Sequence, residues 1–342
     1  MSMNALETAL LNHYQRDFPL CSTPFTDIAT QQNTDTQTIL QTLKKLQQTG
    51  AISRVGPVFR PNTIGVSTLA AMQVPAYQLE SVANFVSQLT EINHNYEREH
   101  QFNLWFVAVA PDAIHLENVL RHIEQHTGIS VMRLPLVKEF HIDLGFKMPL
   151  NGESHSISKH HSNQAVVQHS IQPNDAIQPH LIAEIQSGLP LVEKPYAHIA
   201  DKLGISESDV IRRLDILLTT GTIRRFGVVV RHSELGYRAN AMVVWDIPDE
   251  QVETLGKQLS QINCITLCYQ RPRHQPHWRY NLFTMIHGKT RESVEAHIND
   301  IVQQHDLQQM PKAILFSKRR FKQRGAHYSY AQPQRCARVR YG

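Results

Sequence analysis

The chain has 342 residues, long enough for two or more hydrophobic cores, and no apolar run approaches the roughly 20 residues that a membrane helix needs. Its formal charge of +4 is too small to imply a nucleic-acid partner by itself. The four cysteines (Cys21, Cys264, Cys268 and Cys336) have neither metal-site spacing nor the density of a disulfide framework, and acids and amides occupy the amino-terminal stretch where a secretory signal would be apolar, so a cytoplasmic protein with reduced thiols is expected.

Leu6, Leu10, Leu11 and Tyr14 recur at helical spacing over 4–17. A second helix follows Pro24, and a third starts at the capping box Thr34-Asp35-Thr36-Gln37, turns Ile39, Leu40, Leu43 and Leu46 inward and stops at Gly50. With the strand AISRVGPVFR as a β wing, 1–60 is predicted to be a winged helix-turn-helix. Over 61–147, STLAAMQV reads as a strand and LESVANFVSQL as a helix; NYERE and NLWFVAVA follow as strands, then ENVLRHIEQH as a helix and LVKEFHIDLG as a strand. This is the β-α-β-β-α-β order of a ferredoxin-like domain. Residues 148–178 are rich in Ser, Asn, Gln and His and poor in periodic apolar positions, which predicts a flexible linker. Its histidines (His155, His160, His161 and His169) are therefore not expected to be ligands.

The series then repeats. Ser206-Glu207-Ser208-Asp209 caps a helix carrying Val210, Ile211, Leu214 and Leu217 and ending at Gly221, within a second winged helix-turn-helix over 179–232. A second ferredoxin-like domain is predicted over 233–330, with a basic tail over 331–342. Gly50, Ile52, Arg54 and Gly56 match Gly221, Ile223, Arg225 and Gly227 at a constant offset of 171 residues. Further on, Asn103-Leu104-Trp105 matches Asn281-Leu282-Phe283, and Pro135 to Phe140 matches Pro311 to Phe316. The fold class is thus α+β, a tandem duplication of winged helix-turn-helix plus ferredoxin-like units. From Lys312 to Arg340 there is no Asp or Glu; that stretch is either a solvated face or a surface for a polyanionic partner.

Winged helix plus ferredoxin-like domain resembles the Lrp/AsnC architecture of amino-acid-responsive DNA binders. Other segments resemble a narrower family, the siroheme decarboxylases. GAISRVGPVFRPNTIGVSTLAAM is similar to the wing-to-strand segment of one subunit type, and CYQRPRHQPHWRYNLFTMIHG to the Arg/His/Trp hairpin of its partner. FHIDLGF and LFSKRRFKQRGAHY are similar to the closing segments of the two types. The resemblance covers the chain apart from the linker, and it implies a single chain that fuses two subunits. The implied reaction is non-oxidative removal of carbon dioxide from two acetate side chains of siroheme, giving 12,18-didecarboxysiroheme for haem d1 or, in other cells, haem b. No cofactor is expected beyond the iron-tetrapyrrole substrate, siroheme.

Siroheme carries eight carboxylates, so it calls for several guanidinium forks aimed at one pocket. Arg271, Arg273 and Arg279 in the second hairpin, and Arg98 in the first, are the expected substrate-binding arginines. Trp278 and Tyr280 offer flat faces. Loss of carbon dioxide leaves a carbanion that must be protonated, for which His100 and His274 are the first expected acids and Tyr96 and Tyr269 the alternatives. The second hairpin is longer by the five residues that separate the Tyr96–Asn103 and Tyr269–Asn281 intervals, so its sheet is expected to supply most of the pocket, and Arg271 to matter more than Arg98. His141 opens the closing strand of the first copy, where Ser317 is expected to stand in the second. Two facing sheets would make an internal pseudo-dimer around an enclosed crevice, with a homodimer or association with another subunit pair open. The recognition helices offer only Lys44 and Lys45 in one copy and Arg212 and Arg213 in the other, thin for reading a DNA groove. They are read as scaffold; the competing readings are a DNA-binding regulator and a haem-responsive sensor.

Overall fold

The structure, a computed structural model, describes residues 3–142, 175, 177–231 and 239–325. The first repeat runs α1 (Ala5–His13), α2 (Pro24–Gln31), α3 (Thr36–Gln48), β1 (Ile52–Phe59), β2 (Val66–Met72), α4 (Leu79–Gln88), β3 (Ile92–Arg98), β4 (Leu104–Ala110), α5 (Ala113–Thr127), β5 (Met132–Pro135) and β6 (Lys138–Ile142). The second runs α6 (Ile177–Ile185), α7 (Pro195–Leu203), α8 (Glu207–Thr219), β7 (Ile223–Val230), β8 (Ala239–Trp245), α9 (Asp249–Leu259), β9 (Ile265–Gln270), β10 (Leu282–Gly288), α10 (Arg291–Gln304) and β11 (Lys312–Gln323). Most of the predicted linker, its four histidines and the basic tail lie outside the described residues.

Capping follows the sequence closely, with one change. The Ser206 side chain accepts from the Asp209 N–H at the start of α8, as its spacing predicts. At α3 the cap is Asp35, which accepts from Thr38, and not the box anticipated one residue earlier. Ile39, Leu40, Leu43 and Leu46 are all buried. They belong to one core with Val210, Leu214 and Leu217 of α8, so the two winged-helix units fold as one body.

The expected wing takes a different form. Each copy contributes a single strand, and β1 pairs antiparallel with β7 of the other copy, with Gly56 opposite Gly227. The matched glycines have a packing reason. The Val228 N–H donates to the Tyr14 carbonyl (2.7 Å), and the Leu189 N–H donates to the Val55 carbonyl (2.7 Å), so each copy's first interhelical loop docks on the other's strand. A Cβ on Gly227 would lie 2.2 Å from the Tyr14 carbonyl oxygen.

The other nine strands form one sheet in the order β5-β2-β4-β3-β11-β8-β10-β9-β6. Here too the copies exchange strands: β6 pairs with β9, and β11 pairs with β8 through Lys312–Phe316 and then with β3 through Ser317–Gln323. Since β5 and β6 are nearly continuous, the strands enclose a common interior. Leu69, Trp105 and Leu134 of the first repeat meet Met242, Phe283 and Leu315 of the second there. Helices α4 and α5 cover one outer face and α9 and α10 the other.

These crossings correct the register of the closing strands. Glu139 stands opposite Tyr269 and Arg320 opposite Tyr96. Lys138 lies over the Phe140 ring and Arg319 over the Phe321 ring. Lys138 pairs with Glu253 of α9, and Arg319 with Glu80 of α4. Lys138-Glu139-Phe140 therefore corresponds to Arg319-Arg320-Phe321. Phe140 does not correspond to Phe316, and Lys322, not Ser317, holds the place of His141.

Candidate active site

Successive residues of a strand point to opposite faces, and this alternation sorts the polar residues of β3 and β9. Asn95 turns toward α4, donating to the Ala83 carbonyl (2.9 Å), and Glu97 turns the same way to meet Arg319 (2.6 Å). His94, Tyr96 and Arg98 consequently share the inner face. On β9 the Cys268 thiol points out to the Gly256 carbonyl (3.5 Å), leaving Leu267, Tyr269 and Arg271 inward.

Arg98 is 7% exposed and reaches into the other repeat. Its Nη1 donates to the Leu315 carbonyl (2.9 Å), its Nη2 lies 3.9 Å from Met285 Sδ, and the guanidinium sits 5.7 Å from the centre of the Tyr96 ring. Arg271 makes the reciprocal reach: its Nη1 donates to the Leu134 carbonyl, and its guanidinium sits 4.5 Å from the centre of the Tyr269 ring. Among the described residues neither guanidinium meets a carboxylate, and Arg271 Nε is buried without a partner. Burial lowers both pKa values, that of Arg98 to about 10, and a guanidinium keeps its charge in a folded protein at neutral pH. Burying a charge without a counterion costs several kcal/mol per ion. Two such charges, one from each repeat, favour an anionic ligand.

Tyr96 lies within reach of three arginines. Burial raises its hydroxyl pKa, while Arg98, Arg320 and Arg231 pull the other way. His94 stacks beside it at 6.3 Å between ring centres. Its Nδ1 is buried without a partner, and burial pushes its pKa down to about 4. It is thus neutral at physiological pH, the form of imidazole that can ligate a metal.

The other expected residues cluster around the longer hairpin, where Trp278 is 1% exposed. Its ring meets Trp105 at 5.3 Å, Phe102 at 5.9 Å, His100 at 5.5 Å and Tyr280 at 5.0 Å between centres. Phe283 joins this group to Tyr269, with ring centres 6.0 Å and 5.9 Å away. His100 Nδ1 accepts the Phe102 N–H (3.0 Å), which places the proton of the neutral ring on Nε2, and burial lowers its pKa. His274 Nε2 lies 2.6 Å from the Arg133 carbonyl and must donate there, which docks the hairpin on β5 of the other copy. Arg273 pairs with Asp246 (3.0 Å) and Asp249, and Arg279 with Asp246 (2.7 Å). The structure thus brings Tyr96, Arg98, Tyr269 and Arg271 together and ties Arg273 and Arg279 into ion pairs at the hairpin base.

Sequence reasoning passed over His94, Arg231 and Arg320. His94 had a signal, since it lies two residues before Tyr96 on the same strand face. Arg320 lies in the acid-free stretch from Lys312 to Arg340 that could serve a polyanionic partner, whereas its place opposite Tyr96 comes from a cross-copy pairing that no local pattern encodes; Arg231 had no local signal.

Comparison with known proteins gives the same duplication. The profile of the siroheme decarboxylase NirDL-like HTH domain matches residues 7–52 and 179–224, and that of the AsnC-like ligand binding domain matches 63–141 and 234–322. The siroheme decarboxylase NirDL subunit of Paracoccus pantotrophus is 41% identical over 95% of this chain and 98% of its own length. The siroheme decarboxylase of Hydrogenobacter thermophilus is 32% identical over 92% of each chain. A crystal structure of the siroheme decarboxylase NirDL in complex with an iron-uroporphyrin III analogue superposes with a TM-score of 0.68 at 30% identity, covering 95% of this chain and 94% of that one. With both domain types matched twice and nearly the full length shared, the chain belongs to the siroheme decarboxylase NirDL family.

Proposed function

We propose that this chain is a carboxy-lyase that removes carbon dioxide from two acetate side chains of siroheme, giving 12,18-didecarboxysiroheme on the route to haem d1. The observation that carries this reading is the pair of guanidinium groups of buried Arg98 and part-buried Arg271, each of which reaches into the other repeat and meets no carboxylate among the described residues. A polycarboxylate matches both charges, and forked contacts to arginine fix its orientation as well as its charge.

In each decarboxylation the bond from the methylene to the carboxylate breaks, and its electron pair stays on the methylene carbon, delocalised into the macrocycle. A proton then converts that carbon to a methyl group. Four groups stand ready to supply it. Tyr96 keeps its hydroxyl protonated through burial, and Tyr269 lies against Arg271. His100 carries a proton on Nε2. His274 is tethered through Nε2, so its donation to substrate requires release from the Arg133 carbonyl. Arg98 and Arg271 hold carboxylates that do not react, and the rings of Trp278 and Tyr280 belong to the apolar cluster of the shared interior. The winged helices act as scaffold: Arg213 is bound by Asp209 and Asp175, and Arg212 by Asp209.

Anaerobic incubation of the purified chain with siroheme, followed by mass analysis of the tetrapyrrole, tests the proposal. Loss of two carbon dioxide units is expected. Tight binding with no mass change identifies a haem-type sensor or a requirement for a further subunit pair, and absence of binding refutes the reading.

A further inference from the structure

On the outer surface of the first repeat, helix α5 carries two histidines that the proposed reaction does not use. His122 and His126 lie four residues apart and both are exposed. Residues at that spacing stand one above the other on a helix, and the two imidazoles have ring centres 6.4 Å apart. Phe85 of α4 contacts both. Its ring stacks on His126 at 3.7 Å with 13° between the planes, and meets His122 at 5.6 Å, tilted by 55°. Stacking covers a face of the His126 ring and leaves the edge that bears its nitrogens uncovered. Among the described residues, no hydrogen bond or ion pair engages either imidazole.

The second repeat shows what these positions hold in an ordinary solvated face. Ala83 of α4 matches Gly256 of α9, since each carbonyl receives the outward side chain of the matched strand, Asn95 or Cys268. Helices α5 and α10 correspond from their N-caps, Asp112 and Thr290. Phe85, His122 and His126 are therefore matched by Gln258, Asp300 and Gln304, all exposed. All three positions differ together. The charges around the histidines also suit a cation. Helix α4 contains no Lys or Arg, and Arg121 of α5 is paired with Glu117 (3.1 Å). His126 stands in the last turn of α5, where the helix dipole favours positive charge.

We propose that His122 and His126 form a surface site for a borderline divalent transition ion (Zn²⁺, Ni²⁺ or Cu²⁺), with both imidazoles as ligands and water in the remaining positions. Imidazole suits these ions, whereas Mg²⁺ and Ca²⁺ select oxygen ligands. Zinc–nitrogen bonds of about 2.0–2.1 Å place the ring centres about 5 Å apart in tetrahedral ligation. Closing the pair from 6.4 Å takes a rotation of His122, the ring that Phe85 does not stack flat. Phe85 is a positioning residue: it holds His126 in one orientation, so the ion has one side chain to order instead of two. Because the two ligands come together only on the folded helix, the ion stabilises the folded chain by mass action. The site is independent of the proposed decarboxylation.

The experiment is a titration of the full, untagged, chelator-treated chain with Zn²⁺ and with Ni²⁺, followed by isothermal calorimetry and by the melting temperature. The wild type should show a site whose affinity falls by roughly tenfold or more in His122→Gln and likewise in His126→Gln. The rise in melting temperature that Zn²⁺ causes should shrink in both. His297→Gln, which removes an exposed histidine of α10, should behave as wild type. The other histidines are the same in the wild type and in each α5 variant, so the difference between isotherms reports this pair alone. Both substituted side chains are exposed, and melts of the metal-free variants should coincide with that of the wild type. An isotherm that superposes on wild type for either α5 variant overturns the paired site. A wild-type chain that binds neither ion, or that binds Mg²⁺ as tightly as Zn²⁺, overturns it as well.

Discussion

Arg98 is a residue whose removal should weaken binding sharply while leaving the fold almost untouched. Its burial lowers its pKa from 12.5 to about 10, which corresponds to about 3 kcal/mol disfavouring the charged form. Against this stand a charge-assisted hydrogen bond to the Leu315 carbonyl, worth about 2 kcal/mol, and contact with the Tyr96 ring, worth about 1 kcal/mol. These contributions nearly cancel. Arg98→Met, which keeps the apolar stem and removes the charge, should therefore change the unfolding free energy by less than about 1 kcal/mol, whereas truncating a large buried side chain ordinarily costs about 2–5 kcal/mol. Ligand affinity should fall by roughly 100-fold, the effect of losing a buried charge contact worth 2–3 kcal/mol. Urea unfolding of the free chain and equilibrium titration with iron-uroporphyrin III measure the two quantities. A variant destabilised by more than about 3 kcal/mol, or one that binds within threefold of wild type, would show that Arg98 is a structural cation and not a ligand-binding one.

Acidification should destabilise the protein through His94. Its folded-state pKa of about 4 lies below the ordinary 6.5, so its contribution is present above about pH 6.5 and is lost as the pH falls toward 4, by on the order of 3 kcal/mol in all; denaturant unfolding between pH 7.5 and 5 should show a shallower slope for His94→Gln. Gly227→Ala should cost on the order of 3 kcal/mol or more, because the new methyl meets the Tyr14 carbonyl, whereas Gly128→Ala, in open space at φ +69°, should cost only about 1 kcal/mol; equal melting temperatures for the two variants would contradict the docked-loop account. Duplex DNA should bind no more tightly than a micromolar, salt-sensitive association, since the α8 arginines are engaged by Asp209 and Asp175; a nanomolar, sequence-dependent complex in fluorescence anisotropy would refute the scaffold role.

Local features of the sequence were legible because local physics determines them. The apolar periodicity of α3 and α8, their capping residues and the glycines that end them define the winged-helix helices directly. The alternation along β3 was equally readable and leads from Tyr96 and Arg98 back to His94. Strand exchange left no such trace. A wing strand that pairs within its copy and one that pairs with the other copy have the same composition, so the β1–β7 ladder could not be read from either segment. The closing strands misled for a related reason: Phe140 has two candidate partners, Phe316 and Phe321, and only packing against α9 and α4 decides between them. Ion pairing also hid the role of the hairpin. Arg273 and Arg279 read as ligand forks until Asp246 and Asp249, 24 to 33 residues upstream, were brought beside them.

Exchange of β6 and β11 has a consequence for synthesis. When the ribosome has completed β6 at Ile142, the first repeat has all its own strands, yet β6 has no partner and the β3 edge that will receive β11 is bare. That edge is covered only once Gln323 has emerged, roughly 10–40 s later at ordinary elongation rates. Over that interval the nascent chain carries an open β edge, a template for pairing with neighbouring nascent chains. Residues that are charged in the finished sheet, such as Glu97 on β3 and Lys138 on β6, stand on these edges and disfavour such pairing. Their ion pairs in the folded protein are then a second use of charges that first protect the half-made one.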